Sequence, residues 1–291
     1  MNLSIRHHTV YRYARPVTLG AHRLLIRPLE GHDVQIRSSS LSIEPAHQLR
    51  WIHDIFDNSI ALVDFTEPAD QMRIDSRVTV EQYNINPFNF VLETFATTLP
   101  FNYRPEEAVE VIPYLQPEFP NDESDVRKWI RPFLDVQEQG RTLDFLTSLN
   151  KSFPLFFQYF QRDELGIQSP RETLHKRSGS CRDFALLFME AARYLGVAAR
   201  FVTGYLCRPN EANRDAAHGS THAWAQVFLP GAGWKGFDPT SGVLAADLHV
   251  STGVTRCPHQ ASPVSGSFAG KSQDFLGMEV TVDAFAVPDP P

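Results

Sequence analysis

From Leu3 to about Glu81 the chain is a series of short segments rich in β-branched and aromatic residues: LSIRHHTVYRY, HRLLIRPL, VQIRSSSLSI, IALVDF and MRIDSRVTVEQY. Pro, Gly and Asp separate them. Several alternate apolar with polar positions. In the last, Met72, Ile74, Val78 and Val80 fall on one side with polar residues between them, the period-two signature of a strand with one wet face. The pattern predicts an antiparallel β-sandwich over the first hundred residues.

From Asn86 to Pro120 the pattern fails. Pro87, Pro100, Pro105, Pro113, Pro117 and Pro120 predict repeated breaks and a connection lying on a surface. Helical spacing then takes over. Asp122 or Ser124 is placed to cap a helix carrying Val126, Trp129, Ile130 and Phe133, and a second begins at Thr142 with Leu143, Leu146 and Leu149. The strongest helical signal is SCRDFALLFMEAARYLG from Ser180, where Phe184, Leu187, Phe188, Ala191, Ala192 and Leu195 share a face and Gly196 terminates it. Strand-like runs VAARFVTGYL, HAWAQVFL and WKGFD follow from Val197, His222 and Trp234. The Ser, Gly and Pro cluster from Pro258 to Ser272 reads as a mobile loop, and Phe275 to Val282 offers a last strand. The expected division is a β-rich region over 1–100, a connecting and helical segment over 101–152, and an α+β core with a C-terminal extension over 153–291.

Composition narrows the function classes. With 42% hydrophobic and 21% charged residues and 21 Phe among 291 residues, the chain is too apolar for large-scale disorder. Lys plus Arg is 27 against 34 for Asp plus Glu, a formal charge of −7, so nucleic acid and anionic membranes are not expected partners. No run approaches the roughly 18 apolar residues of a membrane span. Arg6, His7 and His8 interrupt the amino-terminal stretch, which lacks a signal-peptide core, so a cytoplasmic location is expected. Cys181, Cys207 and Cys257 are too few, and odd in number, for a disulfide framework.

Three residues carry candidate chemistry. Cys181 sits at the start of the strongest helix, where free backbone N–H groups and the positive end of the dipole favour a thiolate, the reactive form of cysteine. His222 opens one strand and Asp238 closes the next, 16 residues later. In a hairpin the two lie at the same end, where an Asp can orient an imidazole. Taken singly, each has a plainer reading: a buried structural cysteine, a strand-end histidine, and a turn aspartate before Pro239.

The strings RSGSCRDFALLFMEAARYLGVAARFVTGYL and HAWAQVFLPGAGWKGFDPTSG closely resemble the core of bacterial transglutaminase-like proteins, and the HHTVYRYARPV start resembles the β-rich domain that often precedes it. The resemblance implies an α+β, papain-like core over about Phe153 to Gly242, after an all-β, sandwich-like N-terminal domain. It implies a triad of Cys181 as nucleophile, His222 as base and Asp238 as orienting carboxylate, with an acyl-thioester intermediate and no cofactor. It leaves a second oxyanion donor open, with Gln168 and Tyr159 as candidates beside the Cys181 N–H. Trp224 and Trp234 flank the His and Asp and are candidate walls for an acyl pocket. Asp183 reads as a first-turn carboxylate serving the helix N-terminus.

The expected reaction is amide or peptide-bond hydrolysis on a protein or peptide substrate. The alternatives are transglutamination and a binding module on the same fold. A zinc set drawn from His218 and His222 with Cys181, Cys207, Cys257 or His259 is the rival chemistry, weakened because HGSTHAW does not present its histidines on a helix.

Overall fold

The computed structural model describes residues 1–83, 86–134, 140–161, 166–207 and 220–287. Six strands, β1 (Asn2–Leu19), β2 (His22–Leu24), β3 (Val34–Glu44), β4 (His47–His53), β5 (Ser59–Phe65) and β6 (Ala69–Gln82), build most of an antiparallel sandwich. One sheet runs β1, β6, β3 and the other β2, β5, β4. Met72 and Ile74 on β6 pack between the sheets with Tyr13, Val17, Leu24 and Val63. Val78 and Val80, on the same side of β6, continue past the sandwich and pack instead on Tyr205 and Val250 of the second half of the chain. One long alternating strand thus serves two cores.

The proline-rich connection holds a helix that the breaks concealed, α1 (Pro105–Leu115). Pro105 occupies a first-turn position, where its missing N–H costs nothing and its fixed φ suits the helix. Beyond it lie α2 (Glu123–Ile130), α3 (Thr142–Phe156), α4 (Pro170–Lys176) and α5 (Cys181–Tyr194). Asp122 precedes α2 as expected, but its carboxylate accepts the backbone N–H of Arg171 at 3.0 Å, tying α2 to α4.

Every residue from Asp183 to Tyr194 in α5 is buried, so this helix is the axis of the second half rather than an amphipathic surface helix. The helices pack around it, and its other side lies on an antiparallel sheet with strands in the order Val243–Leu244, Gly233–Asp238, Ser220–Leu229, Ala199–Leu206 and His249–Thr255. Ala223, Ala225 and Val227 face α5, whereas Trp224 packs with Val202, Val254 and Leu29 on the opposite face, toward the sandwich.

The region expected as a mobile loop is instead ordered into a 3-10 turn at Pro258–Gln260 and two short strands. Val264–Ser265 pairs with β2 and Phe268–Ala269 with β1. The last strand, Phe275–Val287, returns to pair along β1, so the end of the chain completes the first sheet. Among the described residues no helix is long and apolar enough to cross a membrane.

Candidate active site

Cys181 is the first residue of α5, with Ser180 in extended conformation before it. The turn is held from inside. Asp183 folds back so that its Oδ2 accepts the backbone N–H and the hydroxyl of Ser180, each at 2.8 Å, while its Oδ1 accepts the Gln168 N–H at 2.7 Å. This is the role read for Asp183 in the sequence, and it fixes the direction in which the Cys181 side chain and N–H project. Gln168 does not direct its side-chain N–H groups at Cys181. Its side-chain amide donates to Asp183 Oδ2 at 3.2 Å and to the Ser178 carbonyl at 3.3 Å.

The sheet brings the other two residues to this helix end. The ladder between Ser220–Leu229 and Gly233–Asp238 pairs Ala225 with Phe237, so one step further Trp224 lies beside Asp238, with His222 just beyond. Phe237, adjacent to Asp238, stacks on Phe188 of α5 with centroids 5.3 Å apart, which sets the strand end against the cysteine helix. His222 Nε2 is 3.0 Å from Asp238 Oδ2. Its other nitrogen, Nδ1, is left for Cys181, which lies near enough to the ring to raise its pKa.

Burial and charge act together here. Asp238 is fully buried, and burial alone would raise its pKa. Hydrogen bonds from His222 and His249 overcome that penalty and hold the carboxyl far below its ordinary range. For His222, burial would lower the pKa, but bonds to Asp238 and Cys181 prevail and push it up to about 10. Tyr159, half-exposed on the short Gln158–Tyr159 strand, lies beside Cys181. Burial, with the nearby Cys181 and Asp238, pushes its phenol up to about 12, so it remains an O–H donor at neutral pH. Cys181 is partly exposed; Cys207 and Cys257 are buried and desolvation pushes both thiols up to about 12.

Of the remaining sequence candidates, Trp224 is at the site, its ring stacked near His222 at 6.1 Å. Trp234 is not. It sits at the far end of its strand against Phe228, Tyr114 and Arg200, whose guanidinium lies 4.2 Å from the ring centroid. The structure adds residues the sequence did not single out. Asp238 Oδ2 also accepts the Ser241 hydroxyl at 2.7 Å and an N–H from His249 at 3.2 Å, and Oδ1 accepts the Thr240 N–H at 3.0 Å. The DPTS string after the strand was a signal for the Ser and Thr; nothing local marked His249.

His218, part of the zinc reading, lies outside the described residues. Two other groups bring potential ligand atoms within 4.8 Å of one another: His222, Asp238 and His249, and Glu118, Cys257 and His259. In the first, both Nε2 atoms are directed at the carboxylate itself, as donors to one acceptor rather than toward a shared point in space.

A cysteine at a helix start, packed on an antiparallel sheet that supplies His and Asp, defines a papain-like thiol architecture. Residues 155–239 match the transglutaminase-like superfamily and residues 3–81 match the bacterial transglutaminase-like N-terminal region. An uncharacterized protein of Mycobacterium tuberculosis is 27% identical over 291 residues, covering 96% of this chain and 91% of its own length. One from Mycobacterium leprae is 33% identical over 120 residues, spanning 40% of this chain and only 41% of that protein. The solved structure of a "putative cysteine protease" from Cytophaga hutchinsonii shares the fold, with a TM-score of 0.73 at 18% identity over 100% of this chain and 93% of that one.

Proposed function

We propose that the protein is a thiol enzyme that cleaves amide or peptide bonds through an acyl-thioester on Cys181. The observation that carries this reading is the chain from Cys181 through His222 to Asp238, closed by the 3.0 Å contact between His222 Nε2 and Asp238 Oδ2. With its proton already held on His222 Nδ1, Cys181 Sγ attacks the substrate carbonyl carbon. The negative charge that develops on the carbonyl oxygen is met by the Cys181 N–H, at the open start of α5, and by the Tyr159 hydroxyl. The C–N bond breaks as Nδ1 returns the proton to the leaving amine, and the acyl group remains on sulfur. Water then attacks the thioester with Nδ1 as base, releasing acid and free thiol. Asp238 takes no proton; it holds the Nε2–H so that Nδ1 faces the thiol, and it stabilises the imidazolium.

The substrate is a protein or peptide. Phe156, Tyr159 and Phe160 are exposed in the segment that reaches Cys181, a surface suited to apolar side chains next to the scissile bond. Replacing water by an amine in the second half-reaction gives transglutamination with the same residues. Free, unpaired thiols accord with a cytoplasmic location. The test is intact-mass analysis with a panel of peptide amides, with and without a primary amine: a Cys181 acyl adduct supports the thioester, and the released acid or new amide reports the acceptor. Cleavage that persists unchanged in Cys181→Ala would overturn the reading.

A further inference from the structure

We propose that His249 is a positioning residue of the same site, an N–H donor that locks the Asp238 carboxylate in the orientation His222 requires. The inference rests on the triad reading above, to which it adds a fourth member.

His249 begins the edge strand His249–Thr255, yet its ring is buried and reaches the active carboxylate. The Ala246 N–H donates to its Nδ1 at 3.4 Å. Nε2 carries the proton that meets the carboxylate, donating to Asp238 Oδ2 at 3.2 Å. Trp224 packs against both imidazoles, edge-on to His249 at 5.2 Å and stacked near His222 at 6.1 Å, and the two imidazole rings lie 6.2 Å from each other. A buried carboxylate is held in one rotamer by the donors that converge on it. His222, His249 and Ser241 occupy Oδ2, and Thr240 occupies Oδ1.

The experiment separates donation from packing. His249→Gln keeps an N–H donor; His249→Phe keeps ring volume and removes it. Two readouts apply to protein shown to be folded by circular dichroism: the exchange-protected Nε2–H proton of His222 in 15N-edited NMR, and the rate of Cys181 alkylation by iodoacetamide at pH 7. His249→Phe should lose the protected His222 proton and slow alkylation on the order of 10-fold, and His249→Gln should restore most of both. If His249→Phe keeps both properties, or the two variants lose them equally, the donor role is wrong. The NMR signal needs no substrate, so a protein that fails to turn over peptide amides would refute the proposed reaction while leaving this result readable.

Discussion

Gly204 and Trp224 occupy space that only a glycine permits them to share. Gly204 pairs with His222 on one side and with Ser251 on the other. A Cβ built on it would lie 2.1 Å from the Val250 carbonyl oxygen and 2.8 Å from Trp224 Cη2. The missing side chain is what lets the indole lie across the sheet against both His222 and His249. Because one of the clashing atoms is backbone, the neighbours cannot yield by a rotamer change. Gly204→Ala is therefore expected to cost about 2–3 kcal/mol by overpacking and to displace His222, lowering Cys181 reactivity as well. Denaturant midpoints and alkylation rates check the two effects, and a native-like midpoint would show that the close approach is not a constraint.

Thiol labelling should single out Cys181. It is partly exposed at a helix start beside an imidazole, whereas Cys207 and Cys257 are buried with thiols pushed up to about 12. Peptide mapping after brief iodoacetamide treatment should find the label on Cys181 well before the others. Cys181→Ala should abolish turnover with little loss of stability. Equal labelling of the three thiols would count against an activated nucleophile.

Removing Asp183 should loosen the nucleophile from beneath. Its buried carboxylate is the acceptor for Ser180 N–H, Ser180 hydroxyl and Gln168 N–H. Asp183→Ala leaves those donors without a partner, at a cost of about 2–4 kcal/mol. Chemical denaturation measures it, and a change under about 0.5 kcal/mol, the range of an ordinary surface substitution, would mean the first turn of α5 holds itself.

The Cys181 helix and the His222 and Asp238 strands were legible because each rests on a local signal: helical spacing ended by Gly196, and alternation leading into a polar strand end. The pairing of the two strands was legible through the hairpin, whose short connection leaves few registers, whereas the packing of the helix on that sheet end came only from the family resemblance. His249 was not. Its strand, HVSTGVT, carries Gly253 and only two valines, so alternation is weak, and Gly253 itself is explained by Leu25 of the sandwich pressing within 2.5 Å of where its Cβ would be. Helix α1 was hidden because prolines were read only as breakers, although Pro105 sits where a helix starts. Trp234 flanks Asp238 in sequence, but along a strand a separation of four residues is about 13 Å, which carries it to the other end of the sheet.

The triad residues should differ in kinetic trace. His222→Ala removes the proton acceptor and should lose nearly all turnover. Asp238→Asn keeps the imidazole but weakens its alignment, so kcat should fall on the order of 10²–10⁴-fold with the fold retained. Because the residues act as one unit, adding Asp238→Asn to Cys181→Ala should cost nothing further. Full activity of Asp238→Asn would remove Asp238 from the mechanism and leave Cys181 in place.

Two buried histidines give stability opposite dependences on pH. Burial, reinforced by His8, lowers His7 to about 4, and its ring bonds Tyr205 at 2.7 Å between the sandwich and the second sheet. The unfolded chain takes up this proton near 6.5 but the folded one only near 4, so His7 makes stability fall as pH drops between those values. His222 has the reverse sign. Its folded value of about 10 lies above its ordinary 6.5, so its contribution is complete below about 6.5 and is lost as pH rises through about 10. Native protein should therefore lose more stability than His222→Gln between pH 7 and 10, and more than His7→Gln between pH 6.5 and 4.5. Turnover should also fall on the alkaline side through pH of about 10, as the imidazolium that protonates the leaving amine disappears. Denaturation series at matched ionic strength read the first pair of effects and a kcat/KM profile the last. An alkaline limb that appears near the ordinary histidine value would mean Asp238 and Cys181 do not hold the proton on His222.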